Sequence, residues 1–255
     1  MDWSDEGIVL AARKHGEGSA IVTLLTRGHG RHAGLVRGGA GRRQRGVFEA
    51  GNRVTATWRA RLSEHLGTYS CELVESVAAS FLDDRWRLAG LSAACAMTDV
   101  VLPEREPHAR VFEGSLELLA ALKGWDGAAG GGDGGHGGSW PALYVRWELM
   151  LLGELGFGLD LGSCAATGEN DGLVYVSPKT GRAVSSSAGA PYRDKLLALP
   201  RFLTREAGTE AAEGVSPAEI RQGLDLTGYF FARHVFAPES RPMPSSRSRF
   251  VEGFR

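Results

Sequence analysis

The string RGGAGRRQR places Arg37, Arg42, Arg43 and Arg45 within nine residues. A guanidinium group stays charged, and its planar fork donates two hydrogen bonds to a phosphate. It also stacks on unpaired bases. The intervening glycines predict a mobile loop whose arginines follow successive phosphates. Arg53, Arg59 and Arg61 follow closely and extend the same surface. Between Gly7 and Ser70 stand eleven basic and three acidic residues, a local excess of eight positive charges on a chain whose formal net charge is -1. That asymmetry suits a polyanion-binding surface. Neutralising about six phosphates would give single-strand affinity a log–log salt slope of about −4. A solvated loop that only keeps the chain soluble would have the same composition.

Other chemistries lack their residues. Gly28, Gly30 and Ala33 match a GxGxx(G/A) string, but Gly34, Gly38, Gly39 and Gly41 follow where a dinucleotide fold needs a helix. There is no GxxxxGK(S/T), HExxH or GxSxG. The histidines are scattered; His29 and His32 fall near a turn, within reach of phosphate. No nucleophile, base and orienting group assemble, so the reading is non-enzymatic, with no cofactor. Cys71, Cys95 and Cys164 include no CxxC pair, as in reducing cytosol. The acidic start MDWSDEGIVL is unlike a signal peptide, and no apolar run reaches membrane-spanning length. A cytoplasmic protein without membrane contact is expected.

The arginines need a frame. Alternation predicts five short strands, at about 7–13, 19–26, 30–37, 52–60 and 67–75. In the fourth, Val54, Ala56 and Trp58 share one face; in the fifth, Tyr69, Cys71 and Leu73 do. Closing such strands into a barrel of the OB type removes their edges, although an SH3-like barrel has the same periodicity. Phe48, Trp58 and Tyr69 are its candidates for base stacking. Trp58 is placed in the core with Val54 and Ala56, whereas Phe48, just past the basic loop, is read as open.

Helical spacing takes over after residue 80, over 82–102, 108–123 and 140–156. Asp83 and Asp84 read as caps, and Pro103 and Pro107 as breaks. Ser216-Pro217-Ala218-Glu219 is a capping-box start for a helix running to about Phe236. Residues 124–138 read as a flexible glycine-rich loop, 172–187 as a β-hairpin, and the tail after Pro238 as having no core role. The fold class is therefore α+β. An OB-type barrel occupies 1–79, and a helical domain with a small inserted hairpin occupies 80–255.

Four strings stand in order: GIVLAARKHGEGSAIVTLLTRGHGRHAGLVRGG at the start, LPEREPHARVFEGSLELLAAL at 102–122, LGFGLDLGSCAATG at 155–168 and SPKTGRAVSSSAGAPY at 177–192. In this order and spacing they resemble bacterial RecO proteins. The resemblance implies a DNA-binding recombination mediator with an N-terminal OB fold. It implies binding of single- and double-stranded DNA and annealing of complementary strands. It also implies loading of RecA onto strands coated by single-stranded-DNA-binding protein (SSB), with RecR and the SSB C-terminal tail as partners. Some members carry a four-cysteine zinc site in the 160–190 region. Here Thr167, Ser185 and Ala188 stand where further ligands would be, beside Cys164 alone, so no zinc is expected. An RNA-binding or ribosome-associated OB module shares the charge pattern, and a protein scaffold built on the barrel is the other alternative.

Overall fold

In the computed structural model the chain is described over residues 1–124, 139–204 and 215–254. It divides into two compact units: Met1–Leu119 with Pro244–Phe250, and Ala120–Met243 with Val251–Arg255.

In the first unit β1 (Asp2–His15), β2 (Ser19–Thr26), β3 (Gly30–Val36), β4 (Arg53–Arg59) and β5 (Thr68–Glu75) form a closed OB-type barrel, in the order β1-β2-β3-β5-β4. The β1 strand is longer than its apolar alternation indicates. Its acidic start pairs with β4, Trp3 opposite Trp58, and its later half pairs with β2. A bulge between Val9 and Ala11 bends the strand so that it serves both neighbours. Val9, Val22, Leu24, Val54, Ala56 and Trp58 fill the interior. The barrel closes between β3 and β5 through one parallel pair, Leu35 with Thr68. Farther along, β5 is uncovered. Leu73, expected inside with Tyr69 and Cys71, is exposed together with Val74.

The helix α2 (Arg85–Val101) packs on β1, so this unit runs past residue 79. Asp84 caps it, accepting from the Trp86 and Arg87 amides, as the sequence predicts. Residues 102–106 then run back along the start of β3. Arg31 Nε donates to the Leu102 carbonyl (2.8 Å), and the Arg105 amide donates to the Arg31 carbonyl (2.8 Å). Gly30 has φ +65, and a Cβ there would lie 1.9 Å from the Glu106 carbonyl oxygen, so only glycine admits this strap. Arg105 itself has φ +63, and its guanidinium donates to the carbonyls of Ser63 and His65, tying down the β4–β5 loop. The helix α3 (Ala109–Gly124) follows; Val111, Leu118, Leu119 and Leu122 are buried, as their spacing requires.

In the second unit α4 (Ser139–Glu154) packs against α6 (Pro217–Phe231). The capping box is complete: Ser216 Oγ accepts from the Glu219 amide, and Glu219 accepts from the Ser216 amide. The helix continues into a π-turn at Ala232–Phe236. Thr227 donates to the buried Glu148 carboxyl between the two helices. The expected hairpin forms from β6 (Leu173–Val176) and β7 (Ala183–Ser185), and β8 (Leu197–Ala198) completes a small sheet. Cys164 is buried, accepting from the Ser185 amide at 3.2 Å, with α5 (Ser186–Gly189) starting beside it.

The tail reading needs correction. The helix α7 (Ser245–Glu252) forms after Pro244; Arg247 and Phe250 within it and Phe254 just beyond it are buried. Of the expected glycine loop at 124–138, residues 125–138 lie outside the described residues.

Candidate nucleic-acid interface

The basic string is not an extended loop. Gly38–Gly41 turn the chain, and Arg42–Arg45 close one helical turn, α1, with the Arg45 amide donating to the Gly41 carbonyl at 3.0 Å. All four residues of α1 are exposed. The turn is anchored behind by Asn52, which is fully buried. Its amide nitrogen donates to the carbonyls of Gly46 (2.8 Å) and Val47 (3.3 Å). Its amide oxygen accepts from the backbone of Val77 (2.9 Å) and Ala78 (3.3 Å). The arginines therefore radiate from a fixed turn, which lowers the entropy lost on binding.

Strand register places the other cations. One row of partners runs Arg13–Ile21–Leu35–Thr68–Arg59, across all five strands on their outer side. At about 4.8 Å per strand its ends are roughly 19 Å apart along the sheet. Arg37 leaves β3 two residues past this row, and Arg61 leaves β4 likewise. Lys14 lies at the tip of the β1–β2 hairpin, whose Gly18 carbonyl accepts from the Ala40 amide (3.2 Å) just before α1. The β2–β3 face, flanked by the β1–β2 and β4–β5 loops, is the side on which OB folds bind strands. Lys14, Arg37, Arg42, Arg43, Arg45, Arg59 and Arg61 are exposed, and none has an ion pair among the described residues.

Arg27, Arg31 and Arg53 have a different environment. Arg27 pairs with Glu6 and Glu113 and lies 4.7 Å over the Phe112 ring. Arg31 pairs with Asp99 and Glu104, both at 3.5 Å. Arg53, grouped by sequence with the binding arginines, is half-buried between Glu6 and Glu75. The hydrogen bond from Arg53 holds the Glu6 carboxyl below its ordinary range.

The aromatic expectations change. Trp58 is in the core, as predicted, and its Nε1 donates to the Leu66 carbonyl at 2.9 Å. Phe48 is only 4% exposed, because the turn after α1 folds it into the barrel, so it is not an open stacking platform. Tyr69 is buried too, its hydroxyl 2.9 Å from His32 Nδ1. His32 is consequently no phosphate contact. Burial, with Arg105 and His29 nearby, pushes its imidazole down to about 4. His29 stacks on Trp3, with ring centroids 4.0 Å apart, and its Nδ1 lies 2.9 Å from an Asp5 oxygen. Trp3 is the partly exposed aromatic that the alternation missed, since it stands among charged residues.

Among the described residues no group of three or more metal-ligating side chains converges, and no helix is long and apolar enough to cross a membrane.

Two family models cover this architecture. Residues 1–77 match the recombination protein O N-terminal model, and residues 82–242 match the C-terminal model. The chain belongs to the RecO family. Similar RecO proteins, described as DNA repair proteins, include that of Rhodospirillum centenum, 55% identical over 258 residues, covering 100% of this chain and 95% of the relative. The RecO of Rhodospirillum rubrum is 51% identical, covering 100% and 97%, and that of Methylobacterium nodulans is 51% identical, covering 98% and 97%. Both halves of the RecO pattern are thus present in sequence order.

Proposed function

We propose that the barrel binds single- and double-stranded DNA along the path from the β1–β2 hairpin through α1 to the β4–β5 loop, with Arg37, Arg42, Arg43 and Arg45 as principal contacts. Lys14, Arg59 and Arg61 extend this surface. Arg53 is left out of it, because its half-buried guanidinium is already bonded to both Glu6 and Glu75. The observation carrying this reading is the set of seven exposed cations on an OB-type barrel that have no ion pair among the described residues.

The mechanism is physical, not catalytic. Two complementary strands repel each other through their phosphates. A cationic face lowers that repulsion and concentrates both, while base pairing supplies specificity. Membership of the RecO family supports annealing of complementary strands and loading of RecA onto SSB-coated single strands in the cytoplasm. RecR and the SSB C-terminal tail are the protein partners this role requires.

The test is annealing of SSB-coated complementary oligonucleotides with and without the protein. Accelerated annealing that declines steeply with salt is expected. No acceleration, or one indifferent to salt, rejects the reading. Competition between DNA and RNA strands at matched salt separates it from an RNA-binding module.

A further inference from the structure

Beside α1 lies a groove of about 550 Å³, within the range of about 300–1,000 Å³ typical of small-ligand sites. Lys14 and Glu17 of the β1–β2 hairpin form one wall, and Arg45 and Glu49 form the other. Phe48 and small residues line the rest. Gly39 belongs to that lining; a Cβ there would press within 3.0–3.1 Å of Val36 and Ala20. The Ala40–Gly18 hydrogen bond (3.2 Å) fixes the walls relative to each other. Two cations and two carboxylates line this space, yet none has an ion pair among the described residues.

Such a lining suits an occupant bearing both an anion and hydrogen-bond donors. A carboxylate only accepts hydrogen bonds, whereas lysine and arginine only donate. One nucleotide of a bound strand supplies both requirements, phosphate for the cations and base N–H groups for the carboxylates. We propose that this groove seats a single unstacked nucleotide and favours cytosine over thymine. The inference rests on the strand-binding reading above. The cytosine N4 amino group donates two hydrogens, and acidic side chains are its usual acceptors. Thymine presents a carbonyl oxygen at the same position, which a carboxylate repels. Small residues such as Ala12, Gly39 and Ala40 leave room for the base, while Lys14 and Arg45 hold its phosphate. The phosphate contacts fix position and the carboxylates select the base.

The test measures binding of equal-length dC, dT and deoxyuridine oligomers to the full chain by fluorescence anisotropy, at matched salt and above neutral pH, where cytosine is unprotonated. The dC oligomer should bind about fivefold or more tighter than either of the others. In the Glu17→Gln/Glu49→Gln variant the ratio should fall towards one, because glutamine donates to the thymine carbonyl. The salt slope should persist. Equal wild-type affinities with a normal slope overturn the base selection and leave strand binding standing. So does a dC preference that survives the double substitution, or a deoxyuridine oligomer that binds as dC does, which would assign the preference to the thymine methyl. Failure of every oligomer to bind overturns both readings.

Discussion

Arg53 and Arg43 are ten residues apart in one barrel, and their surroundings are opposite. Arg53 lies between Glu6 and Glu75, as Arg31 lies between Asp99 and Glu104 and Arg27 between Glu6 and Glu113. Arg43, with Arg37, Arg42 and Arg45, projects into solvent from a turn and has no carboxylate partner among the described residues. All five neutralising acids lie outside residues 7–70, where the positive excess is concentrated. Folding returns them to the barrel from β1, β5, α2, the strap and α3. The excess thus separates into arginines paired with carboxylates of the barrel unit and exposed arginines that have no ion pair among the described residues.

The largest effect should come from removing the second set. Replacing Arg37, Arg42, Arg43 and Arg45 by alanine should weaken single-strand binding at least about a hundredfold at low salt and flatten the salt slope by about 3, with the melting temperature unchanged. Anisotropy titrations across a salt series measure this, and unaltered affinity would break the contrast.

Acid should strike the frame and not the cations. His32 has its pKa lowered from 6.5 to about 4, so the unfolded chain takes up the proton first. Its neutral form is favoured in the barrel, and that stability is complete above about 6.5 and is lost as pH falls towards 4, by up to about 3 kcal/mol. Glu6, lowered by Arg53, adds a loss that begins below its ordinary value of 4.5. Urea midpoints measured against pH should decline through this window, and His32→Gln should flatten the upper part of the decline.

Arg53→Ala should cost about 2 kcal/mol of stability and change DNA affinity less than twofold, because it removes the one guanidinium bonded to both Glu6 and Glu75. Chemical denaturation and anisotropy on the same sample distinguish the outcomes. A variant that stays stable but loses DNA would move Arg53 into the other set. The smallest effect belongs to Arg59→Ala, a reduction of about two- to threefold in affinity with one phosphate fewer in the salt slope.

The strands were legible where side chains alternate cleanly, as with Val54, Ala56 and Trp58 in β4. Helix starts were legible where a cap stood in place, at Asp84 and Ser216. The start of β1 was hidden because Asp2, Asp5 and Glu6 suppress the apolar signal, although Trp3 pairs with Trp58. The basic string showed its charge but not its shape, since glycines before a helical turn look the same as glycines in a loop. Phe48 read as open because nothing local reveals that the chain after α1 turns inward. The partners of Arg53 lie 47 and 22 residues away, a distance over which charge pattern carries no pairing information.

Arg105 gives the strap a role beyond joining two segments. Its side chain grips the carbonyls of Ser63 and His65 while its backbone is bonded to Arg31, so residues well past the barrel determine the posture of the loop bearing Arg61. A fragment trimmed after residue 79 would keep every strand of the barrel yet lose that grip. Such a miniature would hold DNA more loosely than its own arginine content implies.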